Sequence, residues 1–299
     1  MGQHKTAMVL SGGGSLGAVQ AGMLLALAEA GVTAELIVGA SVGALNGAFY
    51  ADDPTPAGTA RLVALWRSLQ RRDVFPLTLW AGLKALVFSR DHLVEPAALR
   101  DIVCRSLRMR RIEEAPVALH VVATDILSGE DVLLSRGDVA TALMASTAIP
   151  VVFPPVAWEG RQLVDGGVSN NTPITSAIAL GAERILVLPT GTSCALTEPP
   201  HNMAALALHV LGLQNMRQLD RDIERHAAAA RITVVPPLCP LDVSVFDFSH
   251  TAALIERAVT QTRAWIASGG LASAGPLHVP LAHRDRPSAA AAGRCEPVS

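Results

Sequence analysis

Residues 36–50 read LIVGASVGALNGAFY. Leu36-Ile37-Val38 is a short apolar run of strand type that ends at Gly39; small residues follow, and Leu45, Phe49 and Tyr50 then mark a helix. The stretch therefore reads as strand, tight turn, helix, with Ser41 on the turn in the pattern Gly39-Ala40-Ser41-Val42-Gly43, a GxSxG elbow. The glycines have a physical task. A sharp bend at the serine leaves no room for side chains two residues on either side, and the helix that follows turns its positive end toward charge developing at the bend. Taken alone, GxSxG also arises as a plain packing turn.

Working outward, residues 6–11 (TAMVLS) form another apolar run, ending in Gly12-Gly13-Gly14, and Val19, Met23, Leu24 and Leu27 give helical spacing over 18–30, stopped by Gly31. Pro54, Pro56 and Gly58 mark a loop, after which helices are predicted over 59–71 and 95–109, strands over 117–123 and 131–135, and a helix over 138–146. Leu163-Val164 leads into Asp165-Gly166-Gly167. A helix over 173–181 follows, then strands over 184–189 and 231–236, apolar enough to be buried on both faces, with a long helix from about 203 to 230 between them. A last helix runs from about 249 to 268. Strands alternating with helices imply a three-layer α/β/α fold with a largely parallel central sheet. One domain is expected over 1–270, with 271–299, rich in Ala, Gly, Pro and Arg without a period, as a disordered tail. No internal repeat is present.

Composition narrows the function. Half of the residues are apolar, while aromatics are only 4% and charges 17%, so the interior must be built from Ala, Val, Leu and Ile. A net charge of −2 at pH 7, with no dense basic run, gives no reason to expect nucleic acid as a partner. Cys104, Cys194, Cys239 and Cys295 are far apart and match no zinc or CxxC spacing, which argues against a metal and for reduced thiols in a cytoplasmic protein. The apolar run before Ser11 is too short for a secretory leader, and the opening Met1-Gly2 with Thr6 fits a myristoylation pattern only loosely. No uncharged stretch is long enough to span a bilayer. The nearest approach, Val74 to Ser89, reads either as a core helix after a turn or as a peripheral membrane contact over a site.

Three elements carry chemistry. Besides the Ser41 elbow, Gly12-Gly13-Gly14-Ser15-Leu16-Gly17 satisfies GxGxxG, the dinucleotide fingerprint, but the second strand ends in Gly39-Ala40-Ser41 without the acid that a ribose requires; Glu35, the nearest acid, precedes that strand. Successive glycines before a helix can instead aim N–H groups at an anion, which suits an oxyanion hole beside Ser41. Asp165-Gly166-Gly167 places a carboxylate at the end of an apolar run, where burial can raise its pKa toward working pH and fit it as a base. A lone Asp-Gly-Gly is otherwise an ordinary turn. Asp125, followed by Ser128-Gly129, reads as such a strand-ending turn and not as the acid.

Across residues 6 to 190 the chain resembles the bacterial branch of the patatin-like phospholipases, through SGGGSLG at 11–17, GASVGA at 39–44, ATDILSGE at 123–130, ASTAIPVVFPPV at 145–156 and DGGVSNNTP at 165–173. The resemblance implies a serine lipid acyl hydrolase without cofactor or metal. It implies a dyad in which Ser41 attacks the ester carbonyl and Asp165 takes and returns the proton, with the N–H groups of Gly13 and Gly14 as oxyanion hole. Members of the family often carry Arg or Lys just before the last glycine of the first motif, where this chain has Leu16. Three alternatives stay open. One is an α/β-hydrolase triad using a histidine from among His201, His209, His226, His250, His278 and His283. The others are a nucleotide-binding Rossmann-like module and a catalytically silent lipid-binding scaffold.

Overall fold

The computed structural model describes residues 5–74, 96–191 and 203–272. The expectations for Met1-Gly2, for the apolar stretch after Val74 and for nearly all of the tail lie outside these residues. In chain order the elements are β1 (Thr6–Leu10), α1 (Gly17–Glu29), β2 (Leu36–Ala40), α2 (Val42–Asp52), α3 (Pro56–Ser68), α4 (Arg71–Val74), α5 (Ala97–Ser106), β3 (Ala118–Asp125) and β4 (Asp131–Leu134). There follow α6 (Val139–Ser146), β5 (Val156–Trp158), β6 (Arg161–Asp165), α7 (Ile174–Ala179), β7 (Arg184–Leu188), α8 (Met203–His226), β8 (Arg231–Val234) and α9 (Thr251–Ala267).

The strands stand in the order β5-β6-β3-β2-β1-β7-β8, with β4 on the free edge of β3. Neighbours from β3 through β8 are parallel, while β6 and β4 are antiparallel to β3. Alternation along each strand feeds two cores. Met8, Leu10, Ile37, Leu119 and Leu186 face one way, onto α1, α2, α3, α6 and α9. Ala7, Val9, Val38, Ile185 and Val234 face the other, onto α7 and α8. The three-layer reading holds, with most helices on one side.

Two sequence expectations needed correction. Pro56 begins α3 and does not prolong the loop: proline is pre-set for a first helical position, and the Thr55 hydroxyl caps the helix by accepting from the Gly58 N–H at 3.0 Å. The hairpin β5–β6 was not anticipated. It turns on Glu159-Gly160, both at positive φ (46° and 79°), as the tightest hairpin turn requires.

The pairings of β3 set the centre of the molecule. Ala118 to Val122 pair with β2, and Ala123 to Asp125 with β6. Val121 to Thr124 also pair with β4, so β4 takes one edge while β2 and β6 share the other end to end. Ala40 lies in register with Val122, and Asp165 with Ala123. The carboxyl ends of two strands running in opposite senses thus meet, and both chains must leave the sheet there.

Where β2 leaves, α2 crosses close above the end of β1: a Cβ on Gly43 would lie 2.3 Å from the Leu10 carbonyl oxygen and 2.6 Å from that of Ser11. These contacts are backbone and cannot yield. Gly43→Ala is therefore expected to lower the urea midpoint through a loss of about 1–3 kcal/mol or more. Gly212→Ala, in α8 with nothing within 4 Å of the added Cβ, is expected to raise it by roughly 0.5–1 kcal/mol in the same assay.

Candidate active site

Ser41 follows β2 at φ 54° and ψ −129°, a left-handed backbone uncommon for any residue but glycine. What holds it there is a pair of bonds through one side chain. The Ser41 N–H donates to the Ser146 hydroxyl at 2.8 Å, and that hydroxyl donates to the Val122 carbonyl at 2.6 Å. Ser146, fully buried at the end of α6, thereby ties the bend to β3.

The Ser41 hydroxyl donates to Asp165 Oδ2 at 2.7 Å. The other carboxylate oxygen accepts from the Gly167 N–H at 2.7 Å, and the Asp165 backbone is fixed by N–H donation to the Ala148 carbonyl and by Thr124 Oγ1 donating to its carbonyl oxygen. Burial raises the Asp165 pKa to about 6; the bonds from Ser41 and from the Gly167 N–H oppose that rise without cancelling it. Among the described residues Asp165 has no ion-pair partner to hold it charged.

Beside Ser41 runs the glycine loop. The Gly12 N–H donates to the Asn171 carbonyl, Ser15 to that of Val245 and Leu16 to that of Gly13. The N–H groups of Gly13 and Gly14 donate to no protein acceptor among the described residues. Side chains are excluded from this loop: a Cβ on Gly13 would lie 2.2 Å from Thr190 Oγ1, and Gly14 sits at φ 57° with its added Cβ 2.5 Å from the Val245 carbonyl oxygen. Thr190 Oγ1 donates to the Gly12 carbonyl at 2.7 Å and holds the loop from the β7 side.

Beneath the loop lies a polar chain that sequence reasoning missed. Trp66 Nε1 donates to Asn46 Oδ1, Asn46 Nδ2 to Gln20 Oε1, and Gln20 Nε2 to the carbonyls of Ser11 and Leu188, each at 2.8–2.9 Å. Gln20 and Asn46 are buried, so every link is made away from water, where an unmade one would be costly. Single polar residues on otherwise apolar helices gave no signal of this. Ser146 had only its place in the 145–156 stretch.

Ser41, Asp165 and Gly12 to Gly14 border one cavity of about 370 Å3, walled by apolar groups such as Ile149, Met216 and Leu219. It stands at the carboxyl ends of the strands, where the order reverses between β1 and β7, the usual position for a site in an open α/β sheet. Leu16 is buried and lines it. Asp125 is the expected turn: its carboxylate accepts from the Leu127 N–H, and its carbonyl from Gly129. Glu35 accepts from the Thr6 N–H at the opposite end of the sheet, so it does not close a ribose site at the glycines. His209 borders the cavity, yet no histidine among the described residues hydrogen-bonds to Ser41 or Asp165.

A profile of the family described as patatin-like phospholipase matches residues 8–178. An uncharacterized NTE family protein of Mycobacterium tuberculosis is 33% identical over 180 residues, covering 60% of this chain and 47% of that one. Human patatin-like phospholipase domain-containing protein 6 is 28% identical over 188 residues, 62% of this chain and 13% of the human protein. The chain thus spans less than half the length of these relatives. Among solved structures, human GIVD cytosolic phospholipase A2 superposes with a TM-score of 0.47 at 10% identity, over 90% of this chain and 59% of that one.

Two outcomes are expected from the geometry. A carboxyl whose folded-state pKa is raised keeps its proton to higher pH than the unfolded chain does. Asp165 therefore makes stability fall as pH rises from near 3.8 to about 6, by about 3 kcal/mol at most, and leaves it level beyond. Thermal melts of Asp165→Asn should show a stability advantage over wild type that grows across that interval and is absent below it. Ser146→Ala leaves the Ser41 N–H and the Val122 carbonyl unpaired in a dry site, and should lower stability by about 1–3 kcal/mol on denaturant titration.

Proposed function

The chain belongs to the patatin-like phospholipase family, and from that premise we propose that it is a serine lipid acyl hydrolase, of phospholipase A or lysophospholipase type, that uses a Ser41–Asp165 dyad and a glycine-rich oxyanion loop. The observation that carries the reading is the 2.7 Å bond from the Ser41 hydroxyl to a buried carboxylate with no histidine between them. Ser41 Oγ attacks the ester carbonyl carbon as its proton passes to Asp165. The carbonyl oxygen takes up the negative charge, and the N–H groups of Gly13 and Gly14 receive it; in support, they border the cavity and donate to no protein acceptor among the described residues. Collapse breaks the ester C–O bond, the leaving alcohol takes the proton back from Asp165, and Ser41 remains acylated. Water then attacks the acyl-serine, Asp165 again accepting and returning the proton, and the fatty acid departs.

Asp165 suits the role through its environment. A carboxylate of ordinary pKa is a poor acceptor for a hydroxyl proton, whereas one pushed up to about 6 is a better base and still ionised at neutral pH. The cavity's apolar walls suit an acyl chain, and its volume of about 370 Å3 falls in the range of small-ligand pockets.

Hydrolysis of a short and a long p-nitrophenyl acyl ester by wild type and by Ser41→Ala tests the proposal. Wild type should turn over both and react with a fluorophosphonate. Ser41→Ala should lose on the order of 10³-fold or more in kcat and should not be labelled. Failure of the wild-type protein to hydrolyse or to be labelled would remove the reading. The wild-type rate should also climb with pH through about 6, as Asp165 ionises, and level off above it.

A further inference from the structure

The two halves of α8 differ in chemistry. Met203 to Met216 (MAALALHVLGLQNM) contains no Asp, Glu, Lys or Arg, whereas the remaining ten residues (RQLDRDIERH) are mostly charged. On the uncharged half, Leu206, Val210 and Leu213 recur at i, i+4 and i+7, which is one stripe, and are 43%, 47% and 46% exposed. Leu213 also lines the candidate active-site cavity, and the same helix walls that cavity with Met216 and Leu219.

Other exposed apolar groups belong to the cavity lining or stand next to it in the chain. Val168, three residues beyond Asp165, lines the cavity and is 44% exposed; Asn215 of α8 lies against its turn, donating to the Gly167 carbonyl at 3.5 Å. Across the opening, Ile149 and Pro150 line the cavity, and Val151, the next residue, is 67% exposed at φ 72°. A β-branched residue in the left-handed region is a genuine strain, because its Cβ crowds the backbone. The turn around it is fixed by the Val152 and Phe153 N–H groups donating to the Ile149 carbonyl, so the strain holds an apolar side chain out in solvent.

We propose that Leu206, Val210, Leu213, Val168 and Val151 form an apolar rim that docks on a lipid surface and brings the cavity mouth against it. The rim rests on the reading of the cavity as an acyl-ester site, since that reading supplies the reason for its mouth to face lipid. The occupant is a bilayer or micelle because Leu213 and Val168 are at once exposed and part of the cavity lining, and because the half-helix that carries the stripe has no Asp, Glu, Lys or Arg, so apolar transfer and not counter-charge supplies the attraction. No helix among the described residues is long and apolar enough to cross a membrane, so the contact is one of docking.

The experiment is co-sedimentation with phosphatidylcholine vesicles, done on a Ser41→Ala background so that lipid is not consumed. The rim protein should bind, with little change on raising salt or on adding anionic lipid. Leu206→Asp with Val210→Asp should weaken binding by about tenfold or more, while the same pair in the active protein leaves turnover of a soluble short ester unchanged. Leu127→Asp, at a residue 90% exposed but away from the cavity lining, should have no effect. Val151→Gly guards against a folding defect, since it relieves the strained backbone and should bind more weakly while melting at a higher temperature. Unchanged vesicle binding in the double variant would overturn the rim. So would a wild-type dimer that the double variant dissociates, since the stripe would then be an interface between copies. Rim-dependent binding by a wild-type protein that hydrolyses no ester would support the rim and remove the enzymatic reading.

Discussion

Strands β2 and β6 run toward each other along one edge of β3, and their ends leave no free sheet position between them, since Ala40 stands opposite Val122 and Asp165 opposite Ala123. Each chain must turn out of the sheet at the same point. One does so through Ser41 into α2, the other through the short turn of Gly166–Val168. The two side chains at the corners then face each other at 2.7 Å without any group to bridge them. The separation of Ser41 and Asp165 is therefore a property of backbone register, which is stiffer than any side-chain rotamer could make it. Ser146 fits this logic. It pins the N–H of the bent residue to the strand that fixes the register, so the strain at φ 54° is balanced from β3 and not from the site itself.

The same site treats its polar groups in two ways. The chain from Trp66 through Asn46 and Gln20 to the Ser11 and Leu188 carbonyls closes the gap where β1 and β7 lead into different loops, and its bonds leave Gln20 and Asn46 satisfied. Asp165, in contrast, is buried with two hydrogen bonds and, among the described residues, no ion-pair partner, so its charged form is held at a disadvantage. The satisfied network rigidifies the scaffold, while the carboxylate, hydrogen-bonded but desolvated, keeps a raised pKa.

Much of this was legible in the sequence, for identifiable reasons. Strands buried on both faces are continuous apolar runs, which is why 6–11, 184–189 and 231–236 stood out, and close backbone crossing demands glycine, which is why 39 and 43 announced the elbow. The β5–β6 hairpin was not legible. Its strands are short and its Glu159-Gly160 turn lacks the Asn or Asp that usually marks such a turn. Nor could the sharing of one edge by β2 and β6 be read, since pairing order is a tertiary property. Gln20, Asn46 and Ser146 are single polar residues whose meaning lies in partners 9 to 168 positions away. The start of α3 was misplaced because Pro56 serves equally as a loop marker and as a first helical residue; the Thr55 cap decides it.

Helix α8 carries the last step of the synthesis. A helix packed on the sheet needs one apolar stripe, and Leu219 and Ile223 supply it against the second core. Such a helix would ordinarily be polar on its outer face, and the half after Met216 is. The half before it is apolar on the outside as well, at the one place where the outside adjoins the cavity opening. Packing among the described residues gives no reason for Leu206 and Val210 to be apolar, and their exposure costs solubility. The strained Val151 on the other side of the mouth has no packing reason either, since its neighbours Val152 and Phe153 are the ones that enter the core. Two independent departures from what folding alone would select, one on a helix that lines the cavity and one beside Pro150, which also lines it, are thus accounted for together by the docking rim proposed above.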